Sequence, residues 1–164
     1  MNILLGTITA AALCASVAIA PASRAGEASG ELMVSVNVVA SCRLRVDTAS
    51  LSFGDVDQNA GSANAHTDLD VRCSTKQPYT IGFDYGQHAE AGQRRMSDGS
   101  NGIAYQLYAD ASHSKPLGPH GTDGELRGVG TGQDQQVPVY GKLDLDRNTP
   151  TGLYNDVVRM TVTW

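Results

Sequence analysis

After residue 30, hydrophobic and polar residues alternate one by one along much of this chain. In residues 31–39, Leu32, Val34, Val36 and Val38 fall on every second position. An extended chain puts all four on one face, so the segment reads as a strand with one greasy side. Residues 67–73 divide in the same way, with Leu69, Val71 and Cys73 against Asp68, Asp70 and Arg72. Residues 79–86 align Tyr79, Ile81, Phe83 and Tyr85. Further strands are predicted at 51–56, where Gly54 breaks the pattern, at 103–108, and at 136–143, where Pro138 points to an edge or a bulge. The last predicted strand, 153–164, carries Val158, Met160, Val162 and Trp164 at alternate positions. Because the sequence stops at Trp164, that strand is expected to finish flush with the domain. Residues 58–66, 87–101 and 109–132 are rich in glycine, serine and asparagine or proline and read as loops, with a small hairpin around Leu126. The pattern predicts an all-β domain.

The length of 164 residues supports one domain with one core. Eighteen glycines and six tyrosines fit many short strands joined by turns. The formal charge is -5, and basic residues are scattered singly apart from Arg94-Arg95, so there is no electrostatic footprint for nucleic acid. That arginine pair is expected to be solvated loop charge, with Met96 folded inward. Residues 4–20 are apolar and small, and Ser23-Arg24-Ala25 and Ala20-Pro21-Ala22 both resemble a small-x-small cleavage site. The expectation is a signal peptide over 1–25, although no lysine or arginine precedes its apolar run. The mature chain then consists of a leading segment, 26–39, and a domain, 40–164. Export also settles the cysteines. Cys14 is discarded, and Cys42 and Cys73 are expected to form one disulfide, closing a loop of about 30 residues and contributing roughly 3–4 kcal/mol.

Little else in the sequence carries chemistry. His66, His88, His113 and His120 all fall in predicted loops without metal-ligand spacing, so no metal is expected. Asp144, Asp146 and Asn148 alternate like calcium ligands, yet the glycine and closing glutamate of such a loop are missing. No Gly-x-Ser-x-Gly and no phosphate-cradling glycine pattern occurs. No catalytic residue and no cofactor is predicted. Tyr140 and Tyr154 are expected to be core or corner tyrosines whose hydroxyls need a partner. For Leu32, Val34, Val36 and Val38 two readings stand: a first strand paired within its own domain, or a strand lent to a neighbouring molecule.

A set of landmarks in order bears on that choice. Cys42, Phe53-Gly54, Cys73, Tyr79-Thr80, Gly86, Arg95-Met96, the run from Tyr105 to Asp110, Val139-Tyr140-Gly141 and the run from Gly152 to Asp156 with its Val/Thr-rich end resemble the spore coat protein U domain family. That family includes major subunits of archaic, Csu-type chaperone-usher pili. Leu117-Gly118 departs from the Trp-Gly that relatives often carry. The resemblance implies an incomplete immunoglobulin-like β-sandwich of six strands plus an N-terminal donor strand. Leu32, Val34, Val36 and Val38 would be the donor residues; Val158, Met160, Val162 and Trp164 would form the acceptor groove and chaperone-facing edge. The implied partners are a periplasmic chaperone, an outer-membrane usher and further copies of the chain in a head-to-tail fibre, with export through the periplasm to a surface pilus supporting adhesion and biofilm. Alternatives are a secreted spore-coat or matrix protein on the same domain, and a glycan-binding adhesin acting through the 109–132 loop.

Overall fold

The alternating stretches become strands that pair antiparallel into two sheets. The computed structural model describes residues 26–44 and 49–164; the expected signal peptide and its Cys14 lie outside the described residues. In chain order the strands are β1 (Cys42–Leu44), β2 (Ser62–Cys73), β3 (Pro78–Phe83), β4 (Arg95–Ser97), β5 (Gly102–Tyr108), β6 (Leu126–Val129), β7 (Asp134–Asp144) and β8 (Met160–Thr163). One sheet has the order β1-β2-β7-β5-β4 and the other β6-β3-β8. The longest ladder runs from Ser62–Asp144 to Arg72–Asp134 between β2 and β7. Inward positions of the two sheets, among them Leu69, Val71, Ile81, Phe83, Leu107, Val139 and Leu143, make the core.

Cys42 and Cys73 are directly opposite in the β1–β2 ladder and form the expected disulfide, 31 residues apart in sequence. The bond ties the start of the domain to the end of β2, the strand that also carries the long ladder with β7. Replacing Cys73 by serine is expected to cost roughly 3 kcal/mol, because the open loop regains chain entropy when unfolded. Urea unfolding under non-reducing conditions, against wild type, measures this.

Several boundaries differ from those the sequence suggests. Among the described residues eight strands form where six were expected: β1, β4 and β6 are short additions at sheet edges, and 51–56 forms none. Residues 62–66, expected as loop with His66 in it, belong to β2 because β7 offers a ladder out to Asp144. Pairing there overrides a small, polar composition. Residues 51–56 make no strand: Gly54 sits at φ 68°, and the segment has no ladder partner. Their alternation survives as packing, since Leu51 and Phe53 both reach Gly141, where an added Cβ would lie 2.9 and 3.0 Å from them. Only Met160–Thr163 of the long terminal strand is formed, so Val158 lies outside it. Residues 31–39 also form no strand, and Leu32, Val34, Val36 and Val38 are all more than four-fifths exposed. A lone strand has no ladder of its own to stabilise it.

Candidate functional site

The small sheet stops at β8. Met160 and Val162 pair with Phe83 and Ile81 of β3, and Thr163 Oγ1 lies 2.7 Å from Thr80 Oγ1. On its other side β8 has no ladder partner among the described strands. Beside this edge opens a cavity of about 910 Å³. Its apolar lining comes from both sheets, including Leu69, Phe83, Ile103, Leu107, Val139 and Leu143, with Leu51 and Phe53 from the irregular segment. That volume is far beyond what an isolated buried water fills. An apolar trough beside unpaired backbone groups is a template for another extended chain. Of the residues singled out from sequence, Val158 and Met160 line the cavity, Val162 packs on the core and Trp164, at 57% exposure, stands at the surface.

The wall formed by residues 153–160 is held by polar side chains. Asp156, with a side chain only 2% exposed, accepts hydrogen bonds from the backbone N–H groups of Gln87 and His88 at 2.9 and 3.3 Å and from the Tyr105 hydroxyl at 2.7 Å. The His88 Nδ1 is 3.1 Å from the same carboxylate. Asp84 accepts from the Gly86 and Arg159 N–H groups, both at 2.9 Å. Burial, reinforced by the hydrogen bond to Asp156, pushes the Tyr105 phenol well above its ordinary range. Tyr154 donates to the Pro150 carbonyl at 2.9 Å and closes the corner before this wall.

Gly86 is required at the base of the knot. Its φ is 84°, and an added Cβ would lie 1.9 Å from Asp156 Oδ2. Gly86→Ala is expected to cost ~1–2 kcal/mol for the left-handed backbone alone, with the displacement of Asp156 in addition. Thermal unfolding of the variant beside wild type checks this.

Arg94 corrects the expectation of a solvated pair. It is 1% exposed, while Arg95 meets Glu90 at 2.6 Å near the surface. The Arg94 guanidinium donates to the carbonyls of Asp84 at 2.9 Å, Leu117 at 2.9 Å and Phe83 at 2.7 Å, and to the Gln106 side chain. It also lies over the Tyr85 ring, 5.5 Å from the centroid. Burial lowers its proton affinity, opposed by Tyr105, Tyr85, Asp84 and Asp156. This one side chain joins the end of β3, β5 and the loop around Leu117. Nothing in the local sequence separates Arg94 from Arg95. The signal for the rest of the knot was the Asp84-x-Gly86 turn, whose carboxylate-to-amide bond is a recognisable local motif.

Two antiparallel sheets, one ending beside an apolar cavity, make an all-β sandwich that resembles the immunoglobulin-like folds of pilus subunits. The chain superposes on the P pilus rod subunit PapA with a TM-score of 0.55 at 13% identity, covering 74% of this chain and 97% of PapA. A chain of the CsuC–CsuE chaperone-tip adhesion subunit pre-assembly complex, from the archaic chaperone-usher Csu pili of Acinetobacter baumannii, matches with a TM-score of 0.54 at 21% identity. That match covers 77% of this chain and 40% of the other, so the present chain spans well under half of that relative's length. Residues 28–161 match the Spore Coat Protein U domain, and the chain belongs to that family. It is also 27% identical to Protein U of Myxococcus xanthus over 180 aligned residues, covering the whole of both chains.

Proposed function

We propose that this chain is a structural subunit of a surface pilus, exported through the periplasm and assembled by donor-strand exchange. Residues 26–39 of one subunit lie in the cavity of the next and pair with the free edge of β8, in place of a chaperone that holds the edge before an outer-membrane usher. The fibre supports adhesion and biofilm. The observation that carries this reading is the coincidence, in one chain, of an apolar cavity beside an unpaired edge and an exposed arm with matching alternation. Burying Leu32, Val34, Val36 and Val38 at ~1.5–3 kcal/mol each, with ladder hydrogen bonds at ~0.5–1.5 kcal/mol net each, gives a gross gain on the order of 10 kcal/mol. Ordering the arm offsets part of that gain. Head-to-tail strand addition does not close on itself, so it produces fibres.

The test is electron microscopy of material sheared from cells that make the chain, with electrophoresis in SDS before and after boiling. Thin fibres, and a ladder that collapses on boiling, are expected. Amorphous material without a ladder would favour a coat or matrix protein instead.

A further inference from the structure

The outer face of the five-stranded sheet carries a row of rings that the groove does not use. His66 of β2 lies directly opposite Tyr140 of β7, and Tyr140 directly opposite Tyr108 of β5. All three alternate with core residues, so they point away from the groove. The His66 and Tyr140 rings are stacked, with centroids 6.2 Å apart and planes at 29°. His113 braces Tyr108 edge-on from the following loop at 5.0 Å. Two strand spacings separate the ends of the row, roughly 10 Å. Tyr105 and Tyr154 have their hydroxyls tied to Asp156 and Pro150, whereas those of Tyr108 and Tyr140 have no partner among the described residues.

Polar groups hedge the strip on the same face. Asn64 and Lys142 pair in the next register position, and Asp68 flanks the other side opposite Pro138. Lys142 is 3.6 Å from Asp144, so its charge is already answered. Flat rings, free hydroxyls and an amide suit a ligand that is itself flat-faced, hydroxyl-rich and neutral, and the carboxylate of Asp68 beside them disfavours an acidic one. The overall charge of -5 disfavours nucleic acids and acidic polymers, which would also need a basic surface.

We propose that this strip binds neutral polysaccharide, with sugar rings lying over His66, Tyr140 and Tyr108. Such a site would give every copy in a fibre a weak contact with a glycan matrix, and many weak contacts sum to firm attachment. The site faces away from the groove, so it stands or falls independently of strand exchange.

The experiment is NMR titration of the full secreted chain with cellohexaose, chitohexaose and maltohexaose, and with a polyuronate oligomer as the acidic comparison. Shifts confined to His66, Tyr108, Tyr140 and their neighbours are expected with at least one neutral oligomer. Tyr140→Ala should weaken binding roughly tenfold, the scale of one lost stacking contact. His66→Ala, at an exposed position, repeats the test where folding is not at risk. Val36→Asp should leave binding unchanged, which separates this site from fibre assembly. The proposal is overturned if no neutral oligomer shifts these residues, if the polyuronate alone binds, or if both alanine variants bind as wild type does.

Discussion

Val36→Asp is expected to abolish fibres while leaving the folded body as stable as wild type. Val36 is 85% exposed in the single chain, so an aspartate there costs the body little, within about 0.5 kcal/mol. In the proposed joint the same side chain enters an apolar cavity with no cation among its apolar lining residues. Burying an unpaired carboxylate costs several kcal/mol, and each ~1.4 kcal/mol is tenfold in the joint's equilibrium constant. Ser35→Asp supplies the control. One residue away, in an extended arm, it faces solvent, and fibres should form normally. Electron microscopy and SDS ladders read both variants. If Val36→Asp still forms ladders, or if both variants lose them equally, the arm does not insert with the proposed face inward.

The second large effect is expected at Arg94. Its removal leaves the carbonyls of Phe83, Asp84 and Leu117 and the Gln106 side chain without their donor in a dry setting. Arg94→Met should destabilise the domain by about 3–5 kcal/mol, the range for breaking a buried charged network. For a domain of this size that lowers the unfolding midpoint by on the order of 10–20 °C. Lysine should recover only part of the loss, because an ammonium cannot reproduce the planar fork that reaches several acceptors. Arg95→Met, removing a surface pair with Glu90, should cost under about 1 kcal/mol. Thermal and urea unfolding of the three variants side by side decide it. Equal, small losses at 94 and 95 would show that burial of Arg94 does not hold the fold.

The contrast between those two arginines marks where sequence reading ends. Strict alternation at 67–73 and 79–83 was legible because a strand side chain has only two faces to choose from, and a buried face demands an apolar residue at every second position. The cysteine pair was legible because the expected removal of residues 1–25 with Cys14 leaves two thiols with one another. Alternation alone could not say whether a stretch would find a partner. Residues 51–56 have the pattern and no ladder, while residues 62–66, whose inward positions are only Ala63 and Ala65, are strand because β7 lies beside them.

The sequence by itself determined the all-β class and the pairing of Cys42 with Cys73, since each rests on local periodicity or on simple pairing. The tertiary structure decided which edge is open, that a cavity lies beside it, that Arg94 and Asp156 hold its walls, and that His66, Tyr140 and Tyr108 meet on the opposite face. Those features join residues tens of positions apart. Their energies arise from burial and hydrogen bonds that exist only once the sheets have packed.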